Sequence, residues 1–514
     1  MKNFNVTGPC VPKKHYMVDI SEKLSEIKKL VDNGSYFTIN KARQYGKTTT
    51  LYALEKVLEN EYVVALLSFE GVGEDSYDSE SNFCKMFTTL IKEEISDDIE
   101  FEPIDKNPIN FIELSKYISI LCKNQKFVLL IDEVDNASDY KIFRDFLGML
   151  RNKYIKMQNE KDFSFSSVIL AGVHDIKNLK LRMIQKGNYV ANENEGNFNS
   201  PWNIAVDFEV DMSFNPKDIS TMLVEYQNEQ KIEFNISEIS DEIYSYTSGY
   251  PYLVSRICKH IDEKLNKDWT VAGIEKAVKL LITEKNTLFD DLFKNLENDK
   301  SLFDLIYAIL ILGEERKYSI DVSTTNFGLT YGIIRNENNK IKISNKIFEI
   351  RICEFFISKD ESVTKKSNVL KYDIVKNNRF DMKLCLEKFA EYYKEIYAEN
   401  DLNFLEKHGR LLFLSYLRPL INGEGFFHIE SQFTDLRRMD LVIDFNNQQF
   451  VIELKIWDGD TKHKEAYKQL SNYLEKKNLK TGYLLTFNFN KNKEKVKKIS
   501  TEKYGDYEIF DVIV

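Results

Sequence analysis

With 514 residues the chain is too long for one hydrophobic core, and we expect about three or four domains. The apolar fraction of 43% and the charged fraction of 30% exclude a disordered chain. The formal net charge of −10 excludes a protein that coats nucleic acid along its whole length. From residue 401 onward the charge is about +1, against about −11 for the remainder, which mildly favours a C-terminal part that contacts phosphate.

The six cysteines lie far apart and form no Cys-x-x-Cys pair, which excludes a zinc ribbon and a disulfide framework. We expect reduced, mostly structural thiols. The N-terminus has no basic and apolar signal pattern, and no run approaches the ~18 apolar residues of a membrane span. We therefore expect a cytoplasmic protein with no membrane partner.

The N-terminal part alternates strand-like runs with helical segments. A short strand-like run begins at Tyr36, a helix is predicted around 52–58, and strands are predicted at 62–69, 127–131 and 167–171. This alternation predicts a mostly parallel sheet that helices cover on both faces. We assign residues 1–212 to this α/β core.

The middle of the chain is mainly helical. Residues 188–201 predict a loop, and Pro216 is placed to open a helical stretch over 215–265. We expect a helical lid over 213–290. Two helices, a turn, a strand and a third helix over 301–356 predict a winged-helix-like domain at 291–358.

The C-terminal part is a second α/β region. Residues 359–367 are the best linker candidate because Ser and Lys dominate them. Helices predicted at 382–397 and 404–417 precede a strand-rich block at 426–454. We assign 359–514 to this domain, including its N-terminal helices.

Residues 40–48, NKARQYGKT, end like a phosphate-binding loop between a strand and a helix. In such a loop Gly46 permits the turn, Lys47 reaches the phosphates of ATP, and Thr48 binds Mg²⁺. We also assign Thr49 to the ATP site. The usual first glycine is replaced by Lys41, and a solvated helix start is the alternative interpretation.

Two acids at the end of the strand 127–131 strengthen the interpretation as an ATP site. Presenting Asp132 and Glu133 after five apolar residues is costly unless a cation lies there. We predict that Asp132 holds Mg²⁺ and that Glu133 polarises the attacking water. His174, after the next strand, is predicted to contact the γ-phosphate, with a hydrogen-bonded loop histidine as the alternative.

Together, these features resemble the AAA-ATPase-like family of bacteria and archaea, whose phosphate loop also lacks the first glycine. The resemblance implies that Arg43 is the loop arginine. The stretch 248–256 resembles the Gly-x-Pro-x-x-Leu segment of related ATPases, which implies that Arg256 approaches the phosphates. The alternative is that Gly249 and Pro251 only shape a helix start.

A second chemical site is predicted in the strand-rich block. Glu453 and Lys455 lie two residues apart and share a face of their strand, and a turn at 446–448 would bring Asp440 beside Glu453. Two carboxylates suit Mg²⁺ or Mn²⁺, and Lys455 would orient a water or stabilise developing charge. An exposed Glu-Lys pair on an edge strand is the alternative.

This arrangement resembles the PD-(D/E)XK nuclease superfamily, and the resemblance implies a restriction-endonuclease-like fold. It implies that Glu406 is an acid on the preceding helix that contributes to the metal site, and that Gln469 and Tyr473 are the Gln-x-x-x-Tyr extension of the catalytic set. Arg437 and Arg438 are candidates for contact with nucleic-acid phosphate, or simple surface charges.

The leading hypothesis is an ATPase that couples its nucleotide state to Mg²⁺-dependent cleavage of DNA or RNA. The alternative is a signalling or assembly ATPase whose C-terminal domain binds nucleic acid or a partner without cutting. A role in defence or mobile-element biology is a family-level analogy. Related ATPases often assemble, so we also expect a homo-oligomer.

Overall fold

The computed structural model describes residues 1–95, 107–173, 202–312, 314–359, 371–399, 402–421, 424–430, 438–446, 448–488 and 499–514. These residues form two compact units. Unit 1 comprises Met1–Tyr244, Ser248–Lys259 and Leu329–Gly332, and unit 2 comprises Ser245–Thr247, His260–Gly328 and Ile333–Val514. The finer four-domain division stays a prediction.

Unit 1 contains a four-stranded parallel sheet in the order β1-β4-β3-β2. Its strands are β1 (Phe37–Asn40), β2 (Val63–Ser68), β3 (Phe127–Asp132) and β4 (Ser167–Gly172). The helices that accompany it are α1 (Ser21–Asp32), α2 (Lys47–Leu58), α3 (Glu80–Glu94), α4 (Phe111–Cys122) and α5 (Lys141–Gln158).

Strand β3 explains why this sheet is covered on both faces. All six of its residues are buried. Phe127, Leu129 and Ile131 belong to a core cluster with residues of α3, α4 and α5, whereas Val128 and Leu130 pack with residues of α1 and α2. Successive side chains point to opposite faces, so a continuous apolar run needs helices on both sides. The predicted parallel α/β core is confirmed.

Among the residues described at 202–264, three helices follow the sheet: α6 (Pro216–Gln230), α7 (Ile236–Thr247) and α8 (Pro251–Lys264). Pro216 occupies the first turn of α6, as predicted, and Asn215 and Asp218 form a capping box there. Two backbone amides at the helix start are thereby satisfied. None of the helices in the described ranges is long and apolar enough to cross a membrane.

Gly249, just before α8, is required by both its conformation and its surroundings. Its φ is +73°, and an added Cβ would lie 2.1 Å from the Phe214 carbonyl oxygen. We expect Gly249→Ala to lower the free energy of unfolding by about 3 kcal/mol or more, since strain and overlap add. Gly71→Ala is the matched control, because Gly71 has a φ of +75° but no atom near its Cβ position.

Gly71→Ala should lower the free energy of unfolding by only about 1 kcal/mol, because it adds backbone strain without overlap. Urea unfolding of both variants, followed by circular dichroism, measures the difference. Equal losses of stability would contradict the overlap at Phe214.

In the described part of residues 271–359, the chain continues with five helices and a hairpin. The helices are α9 (Val271–Thr283), α10 (Thr287–Asn298), α11 (Lys300–Leu310), α12 (Ser323–Thr330) and α13 (Lys346–Lys359), and the hairpin pairs β5 (Ile334–Glu337) with β6 (Lys340–Ile343). The linker predicted at 359–367 lies, apart from residue 359, outside the described residues. The winged-helix-like assignment stays a prediction.

The C-terminal part forms a mixed six-stranded sheet in the order β13-β14-β12-β11-β10-β9. Its strands are β9 (Gly425–Glu430), β10 (Arg438–Phe445), β11 (Gln448–Ile456), β12 (Thr481–Phe487), β13 (Ile499–Tyr504) and β14 (Tyr507–Ile513). A small hairpin pairs β7 (Val375–Lys376) with β8 (Arg379–Phe380), and the helices are α14 (Lys371–Ile374), α15 (Met382–Glu399), α16 (Leu402–Ile421) and α17 (Asp460–Lys476).

Helix α17 connects the parallel neighbours β11 and β12. Its residues Ala466, Leu470 and Leu474 pack in one core cluster with Val451 of β11 and Leu484 of β12. The cluster identifies the sheet face that α17 covers. Residues at even spacing from Val451 on the same strand, such as Glu453, lie on this face.

Candidate functional site

The first candidate site surrounds the loop between β1 and α2. Gln44 and Gly46 have φ values of 58° and 80°, and α2 starts at Lys47. Left-handed turns ahead of a helix form concave backbone arrangements that bind anions. The local backbone therefore suits a phosphate, although the usual first glycine is absent.

Lys47 is held inside this loop. Its side chain is buried, and its ammonium group donates to the carbonyl oxygens of Lys41 at 2.9 Å and Ala42 at 3.1 Å. Burial lowers the pKa of Lys47, and the nearby carboxylates, Glu133 foremost, oppose that change. The Lys47 ammonium group thus lies between the loop carbonyls and the acids at the C-terminal end of β3.

Thr48 and Asp132, the two predicted Mg²⁺ ligands of the ATP site, contact each other. Thr48 Oγ1 donates to Asp132 Oδ2 at 2.6 Å, and Asp132 is 4% exposed. Glu133 follows with a φ of 54°, a conformation that non-glycine residues seldom adopt outside functional sites or turns. Burial raises the pKa of Glu133, and Asp132 adds to the shift. The hydroxyl and carboxylate oxygens match the hard ligands that Mg²⁺ prefers.

Asp135 is a site residue that sequence reasoning missed. Its Oδ2 accepts a hydrogen bond from the Val173 amide at 2.5 Å, which ties the segment after β3 to the end of β4. The available signal was an additional acid two residues after Glu133. His174 is the next residue after Val173, but it lies outside the described residues.

Tyr250 is a second residue that the sequence did not single out. Its hydroxyl donates to the Arg43 carbonyl at 2.6 Å, and its ring contacts Tyr45 with centroids 4.7 Å apart. The Gly-x-Pro stretch was the only local signal. The start of α8 therefore packs directly on the phosphate loop.

Two more segments contact the same loop and helix. Thr49 is predicted to contact ATP. Its Oγ1 accepts a hydrogen bond from the Cys10 amide at 3.0 Å, which connects Thr49 to the N-terminal segment. Gly332 approaches Ala42 so closely that an added Cβ would lie 2.8 Å from the Ala42 Cβ. The loop and the first turn of α2 thus contact chain segments from three distant parts of the sequence.

The second candidate site is built by three adjacent antiparallel strands. The β10–β11 register places Asp440 opposite Glu453 and Arg438 opposite Lys455. Strands β10 and β11 are joined where the turn 446–448 was predicted, but Gln448 already belongs to β11 and pairs with Phe445. Residues directly opposite in antiparallel strands share a face. Glu430 on β9, which sequence reasoning missed, stands opposite Asp440.

Glu453 and Lys455 are almost fully buried, at 1% and 5% exposure. The Lys455 ammonium group donates to the Lys462 carbonyl oxygen at 2.5 Å, in the first turn of α17. These two residues are therefore not an exposed pair on an edge strand, because β11 lies between β10 and β12. A buried carboxylate and ammonium group require partners.

Residues 13–353 match the family model described as an AAA-like domain. The chain belongs to the AAA-like domain family. Residues 426–499 match the PD-(D/E)XK nuclease superfamily, which covers the second site from β9 to the start of β13. No curated protein matches the chain.

Several solved structures are similar to this AAA-like protein. A Walker-type ATPase of Pyrococcus abyssi is 15% identical with a TM-score of 0.46, and the match covers 67% of this chain and 98% of that one. Cdc6p of Pyrobaculum aerophilum is 14% identical with a TM-score of 0.32, covering 69% and 97%. The Drosophila ORC bound to DNA is 11% identical with a TM-score of 0.31, covering 65% and 94%.

Arg43 and Arg256 are the remaining predicted residues of the ATP site. Arg43 is exposed on the loop. Arg256 is half-buried on α8, where its charge opposes the rise that burial causes in the pKa of Tyr252. Gly249 and Pro251 do shape the start of α8. The approach of Arg256 to a nucleotide stays a prediction.

The remaining predicted residues of the nuclease site lie on two helices. On α17, Gln469 is half-buried and Tyr473 is buried in the core cluster, which gives Tyr473 a packing role besides its predicted catalytic one. Glu406 lies on α16, but its side chain is outside the described part, as is that of Asp440. Among the side chains that are described, no group of three or more His, Cys, Asp or Glu residues forms a metal site.

Arg410, one turn after Glu406, is buried and donates to the Leu312 carbonyl. Burial lowers its pKa to about 10. Arg437 lies outside the described residues, and only the backbone of Arg438 is described, so their contact with nucleic acid stays a prediction.

Proposed function

We propose that this AAA-like protein hydrolyses ATP at its phosphate loop and cleaves DNA or RNA at its PD-(D/E)XK domain, with cleavage controlled by the nucleotide state. The observation that carries the nuclease part is the register of Asp440 opposite Glu453, with Lys455 buried beside them. Acids that can hold a divalent metal, with a cation beside them, are suited to phosphodiester cleavage.

For ATP hydrolysis, we assign binding of the phosphates to Lys47, Gly46 and the N-terminus of α2, with Thr49, Arg43, Arg256 and His174 as further contacts. Thr48 and Asp132 would hold Mg²⁺, which when bound neutralises charge on the phosphates. Glu133 would accept hydrogen bonding from the attacking water and orient it. The Thr48–Asp132 contact of 2.6 Å supports this division of roles.

The pH dependence of ATP turnover should report the Glu133 carboxylate. Its pKa is raised above the ordinary value of 4.5, so turnover should fall as the pH decreases through that higher pKa. Asp135→Asn should move this acidic limb to lower pH, because the Asp135 charge contributes to the shift. The measurement is kcat for ATP from about pH 4.5 to pH 8. An acidic limb at the same pH in Asp135→Asn as in the unmodified protein would contradict the assignment.

For nucleic-acid cleavage, Asp440 and Glu453 would hold Mg²⁺ or Mn²⁺, with Glu406 contributing from α16. The metal, when bound, polarises the phosphodiester and a water molecule. Lys455 would orient the water or stabilise the charge that develops on the phosphate. Gln469 and Tyr473 would position this set from α17.

The coupling part of the proposal is supported by what packs on the phosphate loop. Tyr250, at the start of α8, bonds to the Arg43 carbonyl, and Gly332, from a segment between α12 and β5, touches Ala42. A change of loop conformation on hydrolysis would move both segments. Coupling needs such an element with two arrangements.

The test is cleavage of labelled single- and double-stranded DNA and RNA with Mg²⁺ or Mn²⁺, with and without ATP. We expect cleavage that ATP alters in the unmodified protein and that Lys47→Ala makes insensitive to ATP. If the protein hydrolyses ATP while Lys47→Ala cleaves as the unmodified protein does, the coupling is wrong. ATP turnover without any cleavage would favour a C-terminal domain that binds without cutting.

A further inference from the structure

A buried polar cluster joins α17 to β14 inside the C-terminal sheet domain. His463 Nε2 lies 2.6 Å from Asp511 Oδ2, and the Tyr467 hydroxyl donates to the same oxygen at 2.6 Å. His463 and Asp511 are 8% and 5% exposed. The Trp457 ring packs against His463, with centroids 4.8 Å apart.

The cluster lies on the sheet face that carries the nuclease candidates. The strand registers pair Glu453 with Leu484, and Leu484 with Asp511, so these residues form one row across β11, β12 and β14. Paired residues of neighbouring strands lie on the same face. Asp511 is therefore two strands away from Glu453 in the row that α17 covers.

The link to the proposed site is the first turn of α17. Lys455 donates to the carbonyl of Lys462, and Lys462 directly precedes His463 in the chain. The hydrogen bond between His463 and Asp511 thus fixes the turn whose carbonyl holds the Lys455 ammonium group. Neither His463 nor Asp511 needs to touch a substrate to affect that group.

A polar cluster here is costly for packing alone. Among the described residues, His463 Nδ1, Asp511 Oδ1 and the fully buried Thr486 Oγ1 have no hydrogen-bond partner. Thr486 is the register partner of Lys455. Apolar residues would pack an α/β interface more stably than a buried acid with incomplete partners. This loss of stability favours a role for the cluster in fixing the local geometry of α17 and β14.

We propose that His463 and Asp511 are positioning residues that hold the first turn of α17 so that the Lys462 carbonyl orients Lys455. This inference rests on the proposed nuclease function for its catalytic meaning. The positioning itself is a property of the fold. It therefore has a readout that requires no cleavage.

The first experiment measures the reactivity of the Lys455 amine in the full-length protein, using an amine-acetylating reagent and peptide mass spectrometry. Asp511→Ala and His463→Phe should each raise Lys455 acetylation by about tenfold, since the turn that shields and binds the amine is released. Ile509→Ala is the control, because Ile509 is a buried residue on the same face of β14 and makes no such hydrogen bond.

Acetylation that is unchanged in Asp511→Ala and His463→Phe would overturn the proposal. An equal rise in Ile509→Ala would overturn it as well, because general loosening of the domain would then suffice. Absence of cleavage by the unmodified protein would refute the proposed function and leave this result readable.

The second experiment measures cleavage in a double-mutant cycle. Asp511→Ala should lower kcat by about tenfold with little change in KM, because Lys455 acts on the reacting phosphate rather than on binding. In the Lys455→Ala background the same change should have no further effect on kcat. Independent, multiplying losses would show that Asp511 does not act through Lys455.

Discussion

Replacing Glu453 by Gln is expected to lower nucleic-acid cleavage by about 10³-fold while ATP turnover persists. The substitution keeps the size of the side chain but removes the negative charge. Glu453 is 1% exposed and lies opposite Asp440 in the strand register, so the substitution removes a buried charge from the proposed metal site. Cleavage of a labelled substrate, with ATP hydrolysis measured in parallel, checks both halves of the expectation.

Glu465→Gln is the matched control for this prediction. Glu465 is an exposed acid on α17, the helix that covers the same sheet face. The control removes an equal charge from the same domain, and we expect cleavage within about twofold of the unmodified protein. Full cleavage by Glu453→Gln would remove Glu453 from the mechanism.

Replacing Glu133 by Gln should abolish most ATP turnover, by about 10²–10⁴-fold, while ATP binding is retained. The role assigned to Glu133 is to orient the attacking water, and an amide does this poorly because it is a weaker acceptor. Lys47 and Thr48, which would contact the phosphates and Mg²⁺, are left in place. Phosphate release and the affinity for a fluorescent ATP analogue separate turnover from binding.

Glu59→Gln serves as the control, because Glu59 is an exposed acid at the C-terminal end of α2, the helix that starts with Lys47. Its turnover should equal that of the unmodified protein. If Glu133→Gln also kept normal turnover, the attacking water would have to be oriented by another group, such as Asp135, the acid two residues further along the chain.

Cleavage measured while ATP stays bound without hydrolysis tests the coupling between the two sites. In Glu133→Gln, ATP remains bound without being hydrolysed. Its cleavage activity should therefore equal that of the unmodified protein held with a non-hydrolysable ATP analogue. A difference between these two states would show that the Glu133 carboxylate affects cleavage by a route other than the nucleotide.

Sequence alone determined those features that depend on neighbours along the chain. A continuous apolar run predicted that β3 is buried on both faces, because alternation places its side chains on opposite sides. Pro216 predicted the start of α6, since its fixed φ suits a first helical turn. A turn predicted after Asp440 also placed Asp440 beside Glu453, although the predicted turn, 446–448, was one residue longer than the connection between β10 and β11.

Only the tertiary structure decided which distant polar groups meet. Tyr250 and Arg43 are 207 residues apart, and His463 and Asp511 are 48 apart. Strands β13 and β14 were not predicted. They complete the sheet, and β14 places Asp511 on the face that α17 covers. Local periodicity reports whether a side chain is buried, but it contains no information about which other buried group satisfies its hydrogen bonds. That choice is made by strand order and helix packing, which connect residues irrespective of their separation along the chain.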